Sequence, residues 1–168
     1  MQKKLEHAAF HDELTGLPNR KALFKRLEKQ RADAITILYC DLDKFKAAND
    51  QHGHVIGDKL LKQFATNLQQ KFGIENSYRL GGDEFIALYH LQFNENELIT
   101  LRQELAMGLS EFKVGVSFGH HQLLPDETPD HGLHEADIMM YRDKTTREEQ
   151  TIRAFPKKYR KVPREDST

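Results

Sequence analysis

The chain has a single cysteine, no excess of charge of either sign and no apolar run long enough to cross a bilayer. With Cys40 alone, an intrachain disulfide is excluded and a reducing compartment fits. Cys40 lies in an apolar, strand-like run and is expected as a small buried hydrophobe. Lys and Arg number 25 against 26 Asp and Glu, a formal net charge of −1. That balance removes the general polyanion binder, nucleic acid included, and leaves room only for a local basic patch. No run approaches the ~18–20 apolar residues of a membrane span, and the opening MQKKLEHAAF is no signal peptide. Internal repeats and low-complexity segments are also missing. The expectation is a cytoplasmic domain that makes no membrane contact itself.

What is present suits one domain with a real core: 168 residues, 38% of them hydrophobic. Residues 1–10 carry Leu5, Ala8, Ala9 and Phe10 in a short amphipathic pattern. The turn-rich HDELTGLPNR ends in Asn19, a good N-cap for a helix with Leu23, Phe24 and Leu27 on one face. AITILYC (34–40) predicts a strand buried on both faces, and a short helical turn follows in DLDKFKAANDQHGH. Leu60, Leu61, Phe64 and Leu68 mark a long helix. ENELITLRQELAMGLS predicts another, with Asn94 as N-cap and Glu97 completing a capping box. KVGVSFGHHQ (113–122) alternates as a strand, PDETPDHG reads as loop, and LHEADIMMYRDK as a helix with Ile138, Met139 and Tyr141 on or near its apolar face. The Met139–Met140 pair is expected in the core. TIRAF predicts a last short strand, and 156–168 a charged tail or linker. The sum is an α/β (α+β) domain, a sheet of about five strands with helices on its faces.

SYRLGGDEFIALYH (77–90) places two glycines and two adjacent carboxylates between apolar runs. Gly81 and Gly82 supply the positive φ of a hairpin turn. Turn chemistry does not explain Asp83 and Glu84, which open a strand poorly. Asp41 and Asp43 directly follow the buried strand, where open α/β sheets bind ligands. If the hairpin lies beside that strand, the carboxylates converge and would repel unless a cation sat among them, as Mg²⁺ does when it also holds phosphates. The alternative is that Asp43 caps the turn 44–50 and the other acids are simply solvated. The backbone N–H groups of Lys44, Phe45 and Lys46 sit at a helix start, a natural phosphate cradle. Asn49, His54 and Asp58 offer donors and an acceptor, and a carboxylate facing N1–H and the N2 amine would select guanine over adenine. His52 and His54 read as polar loop residues, His54 being the better candidate for substrate contact.

DELTGLPNR, CDLDKFKAANDQHGHVIGDKLL, YRLGGDEF, VGVSFG and EADIMMYRDK occur in the order and spacing of the GGDEF domain of diguanylate cyclases, so the chain resembles that family from about Asp12 to Lys144. The resemblance implies a five-stranded central sheet surrounded by helices, similar to nucleotidyl cyclase and polymerase palm domains. It divides the chain into the end of a linker helix (1–11), a GGDEF domain (12–155) and the tail 156–168. It implies condensation of two GTP into cyclic di-GMP with release of two pyrophosphates, dependent on Mg²⁺ or Mn²⁺, by a homodimer. Asp41, the carbonyl of Leu42, Asp83 and Glu84 would hold the metal, and Asp83 would also accept the proton of the attacking 3′-hydroxyl. Asn49 and Asp58 would read guanine, with His54 against the nucleotide. Gly81 and Gly82 would let the turn approach the substrate, and Lys144 would reach the triphosphate.

Three features depart from the family pattern. Its inhibitory Arg-x-x-Asp product site corresponds here to Phe72 and Glu75. The segment after the last helix is DKTTREEQT, in which Arg147 sits one position closer to Lys144 than the usual phosphate-contacting arginine. Little precedes DELTG, which fits an excised output domain of a larger, membrane-bound protein with sensory or effector partners. The alternative function is a non-catalytic GTP-binding module that regulates an attached domain such as a cyclic di-GMP phosphodiesterase.

Overall fold

The apolar alternation of the sequence resolves into two helical layers around one antiparallel sheet. A computed structural model describes residues 2–29 and 31–154; Phe155 and the tail 156–168 lie outside the described residues. In chain order the elements are α1 (Gln2–Phe10), α2 (Arg20–Glu28), β1 (Ile35–Asp43), α3 (Phe45–His52), α4 (His54–Phe72), β2 (Ser77–Gly81), β3 (Glu84–Tyr89), α5 (Glu95–Leu105), β4 (Gly115–Leu123) and α6 (Pro129–Ala154). The strand order is β2-β3-β1-β4, every pair antiparallel, with β1 inside.

The period of two along each strand divides the core. Leu38, Cys40, Leu42, Phe85, Ala87, Val116 and Phe118 face α4 and α5. Ile37, Tyr39, Ile86, Leu88 and Leu123 face α2 and α6. Phe64 of α4 meets Phe85 edge-on at 4.7 Å between ring centroids, which fixes that helix across the sheet. On the other face α6 lies almost on the strand: a Cβ at Gly119 would fall 2.1 Å from the backbone nitrogen of Met140. Only glycine permits that approach.

The N-caps form as expected, but Glu97 does not close a capping box: its Oε1 accepts from the Asn94 side-chain Nδ2 at 2.9 Å rather than from the Asn94 N–H. Asn19 Oδ1 accepts the Ala22 N–H at 3.1 Å, and Asn94 Oδ1 accepts the Glu97 N–H at 2.8 Å. Cys40 is fully buried, and β1 is covered on both faces.

Several expectations need correction. Among the described residues the sheet has four strands, not five, because residues 151–154 continue α6 instead of forming a strand. No glycine or proline interrupts 133–154, and Arg147 ties the helix back to the sheet through Asp43, so β-branched residues did not stop it. PDETPDHG is not all loop. Thr128 Oγ1 accepts the His131 N–H at 3.3 Å and Pro129 takes the first helical position, where its missing N–H costs nothing. The buried face of α6 is Leu133, Ala136 and Met140; Met139 and Tyr141 are exposed, so only one of the Met pair is core. α5 stops at Leu105, ahead of Gly108 at φ +80°. His52 and His54 are helical, ending α3 and opening α4 on either side of Gly53.

Candidate functional site

Pairing of β1 with β3 sets Asp41 directly opposite Glu84, while on its other side Asp41 faces Ser117 of β4. The β2–β3 turn carries Asp83 to the same place: its carbonyl accepts the Leu42 N–H at 3.3 Å, and its carboxyl hydrogen-bonds Asp41. The structure therefore brings Asp41, Leu42, Asp83 and Glu84 together. Asp43 is also at this strand end, but it is committed elsewhere, accepting from Ser117 Oγ and Arg147 Nη1 at 2.6 Å each. Gly81 and Gly82 adopt φ of +144° and +52°, and a Cβ on either would enter open space. The protein's own demand there is conformational, and the space beside the turn is clear.

The charges are unequal partners. Burial, reinforced by the hydrogen bond and charge of Asp41, pushes the Asp83 carboxyl up to about 7. Lys144 Nζ lies 3.0 Å from Asp41 Oδ2. Burial works against its charge, but the Asp41 bond and the charges of Asp41, Asp43 and Asp83 hold Lys144 above the usual lysine range. Tyr39 donates its hydroxyl to Glu84 Oε2 at 3.1 Å; burial, then Glu84, raises the phenol well out of its normal range, so it remains a donor. Clustered carboxylate oxygens of this kind fit a hard divalent cation, which would relieve the Asp41–Asp83 conflict.

Beside the acids lies a cavity of about 480 Å³ lined by Lys44, Lys113, Lys144, Arg147, Asp43 and Glu148, among others. Lys44 and Lys113 have φ of +60° and +58°, the only non-glycine residues with positive φ among those described. Two lysines held left-handed against one cavity is an arrangement that backbone preference alone opposes. Lys44 also opens α3, so the N–H groups of Phe45 and Lys46 begin a helix as expected.

Asn49 of α3 and His54 of α4 meet at 3.1 Å, Nδ2 to Nδ1. Asp58 lies one turn beyond His54, exposed. Sequence reasoning missed the residue that makes room for Asn49. A Cβ at the buried Gly57 would sit 2.1 Å from Asn49 Oδ1. It also missed the supports of the site. Arg79 clasps the hairpin tip, donating from Nε and Nη2 to the Gly82 carbonyl at 3.1 and 2.8 Å, while Nη1 grips both carboxylate oxygens of Asp12. Despite burial, the bonds from Thr15 and Arg79 hold Asp12 below the usual carboxylate range. Arg102 pairs with Asp143 at 2.8 Å, and Asp143 also accepts the Phe118 N–H, which anchors α6 one residue before Lys144. The Arg79–Asp12 and Arg102–Asp143 partners are far apart in sequence, and no local pattern connects them.

Comparison with known proteins agrees with this architecture. The profile of the family described as "Diguanylate cyclase, GGDEF domain" matches residues 9–150. An uncharacterized signaling protein of Caulobacter vibrioides is 36% identical, over 85% of this chain and 20% of its own length. Diguanylate cyclase DgcP of Escherichia coli K12 is 34% identical, over 88% of this chain and 48% of its own. The chain thus spans between a fifth and about half of these relatives. The coiled coil and GGDEF domain of DgcB from Caulobacter crescentus, solved in complex with c-di-GMP, shares the fold at a TM-score of 0.75 and 24% identity, covering 86% of this chain and 85% of that one. With the profile matched over most of its length and the sheet and helices in common, the chain belongs to the GGDEF domain family.

Proposed function

We propose that this domain condenses two GTP into cyclic di-GMP and two pyrophosphates, as one half of a homodimer. The supporting observation is the meeting of Asp41, Asp83 and Glu84 at one strand end with Lys144 against them. Asp83, whose carboxyl titrates near neutrality, is suited to accept the proton of an attacking 3′-hydroxyl. Lys144 opposes the negative charge that builds on the α-phosphate oxygens and the departing pyrophosphate. Asp41, Asp83, Glu84 and the Leu42 carbonyl are the groups that would hold Mg²⁺ or Mn²⁺, which when bound supplies positive charge beside the reacting phosphate.

Substrate recognition divides along the chain. Asp58 accepts from guanine N1–H and N2, and Asn49, oriented by His54 and given room by Gly57, completes the edge. The triphosphate enters the lysine-lined cavity, with the first N–H groups of α3 and with Lys44, Lys113 and Lys144 about it. Each domain holds one GTP, and the ring needs two phosphodiester bonds, so two domains must face each other. The catalytic unit is residues 12–155, preceded in 1–11 by the end of a linker helix, with sensory or effector domains belonging to the whole protein in the cytoplasm. Product control through the surface before the hairpin is not part of this proposal: Phe72 is buried against Tyr89 and Phe93 and offers no cation.

The test is incubation of the domain, dimerised through a fused coiled coil, with GTP and Mg²⁺, followed by chromatography for cyclic di-GMP. Product formation is expected. GTP binding without product at saturating substrate would overturn the cyclase assignment in favour of a regulatory module.

A further inference from the structure

At the opposite end of β4 from the carboxylates, three side chains converge that no part of the GTP chemistry uses. His121 Nε2 lies 3.0 Å from Glu127 Oε2, and His131 Nε2 lies 3.4 Å from the same oxygen. All three ligand atoms fall within 4.8 Å of one another. Donors about 2.0–2.1 Å from a tetrahedral Zn²⁺ are about 3.3–3.4 Å apart. The 3.4 Å separation already fits, the 3.0 Å one falls a few tenths of an ångström short, and the third, no more than 4.8 Å, would be closed by movement of the half-exposed His131 ring.

We propose that His121, Glu127 and His131 form a binding site for a zinc-class divalent ion, with the fourth coordination position open to solvent. An ordinary His–Glu ion pair needs one histidine, whereas here two imidazoles aim Nε2 at one carboxylate oxygen from separate elements, β4 and the first turn of α6. The carboxylate is held from behind, because Glu127 Oε1 accepts the Leu124 N–H at 3.1 Å. Its backbone is held as well. Glu127 donates its N–H to the Leu124 carbonyl at 3.0 Å, and the Glu127 carbonyl accepts from Arg31 Nη2 at 2.7 Å. The loop is thus preorganised before any ion arrives. Two imidazoles and one carboxylate favour Zn²⁺ or its neighbours over Mg²⁺, which prefers oxygen donors throughout. His121 pairs with Ile37 while Ser117 pairs with Asp41, so the site stands four residues, about 13 Å, along the strand from the carboxylates. His131 is 53% exposed, which gives the ion a way in.

The test is calorimetric titration of the untagged 168-residue chain with ZnCl₂ in excess Mg²⁺, alongside thermal melts. One equivalent of Zn²⁺ should bind saturably in spite of the Mg²⁺ and raise the melting temperature. His131→Ala and Glu127→Gln should each weaken binding at least about tenfold. His131 is exposed, and the amide introduced by Glu127→Gln can keep the Leu124 hydrogen bond, so both variants should fold, and far-UV circular dichroism would verify it. No saturable binding by about 100 µM free Zn²⁺, a concentration that a micromolar site would fill, would overturn the proposal. So would unchanged affinity in His121→Ala/His131→Ala, because the ion would then sit elsewhere, for instance on the stacked His7–His11 pair.

Discussion

Replacing Asp83 by asparagine should make the metal-free protein more stable while abolishing the proposed chemistry. The Asp83 carboxyl is raised from an ordinary 3.8 to about 7, first by burial and then by Asp41. Between those values the native state keeps a proton that the unfolded chain has released, so stability falls as pH rises through the window and is lowest above about 7. The difference between 3.8 and about 7 sets a ceiling of about 4 kcal/mol. Asp83 is partly exposed and its charge partly screened, so about 1–2 kcal/mol is expected. The substituted amide cannot ionise, and the variant's profile should lack this slope. Urea unfolding in EDTA should therefore give similar midpoints for the two proteins near pH 3, below the ordinary carboxylate value, and a higher midpoint for Asp83→Asn at pH 8. Saturating Mg²⁺ should close the gap by stabilising the wild type alone. The dimerised variant should still bind GTP and make no cyclic di-GMP, since an amide cannot accept the proton. Parallel pH profiles, or an asparagine variant that is less stable at pH 8, would refute the reasoning. Wild-type turnover would remove Asp83 from the mechanism.

Two further perturbations separate recognition from stability. Gly57→Ala should preserve the helix but displace the Asn49 amide, whose oxygen stands 2.1 Å from the new Cβ, and lower kcat/KM for GTP on the order of 10²-fold; an unchanged kcat/KM would remove Asn49 from the guanine site. Lys113→Gly should raise stability by about 0.5–1 kcal/mol, since glycine accepts φ +58° freely, while raising KM for GTP; a stabler protein with unaltered KM would show that the cavity does not hold the triphosphate.

Local chemistry was the legible part of the sequence. Asn19 and Asn94 announced their helices because a cap acts across three residues, and the strands showed themselves by equally local marks: a continuous apolar run for β1, a Gly-Gly turn for β2 and β3, and alternation for β4. The end of α6 was illegible for the opposite reason. Thr151 and Ile152 read as strand, yet Arg147 meets Asp43 across a separation of 104 positions, and that contact helps keep the helix against the sheet. In the candidate site, the convergence of Asp83 on Asp41 could be expected once the hairpin was placed beside β1. The fit of Gly57 to Asn49 and the grip of Arg79 on Asp12 could not, because one crosses the α3–α4 turn and the other spans 67 positions, and neither follows a helix, strand or cap spacing.

The position of β1 between two partners has a consequence for where the molecule can open. Asp41 rides on amides bonded on both sides, and Glu84 on a strand that is likewise interior, so those amides should exchange with solvent only through opening of the whole sheet. Asn49, His54 and Asp58 ride instead on the rim of α3 and α4, where residues 50–55 are exposed and a glycine stands between the helices. A small excursion there disturbs no strand. On the proposed function, the half of the site that would hold charge in register is built on the part of the chain that opens last, and the half that would admit and release a base is built on a part that can open alone.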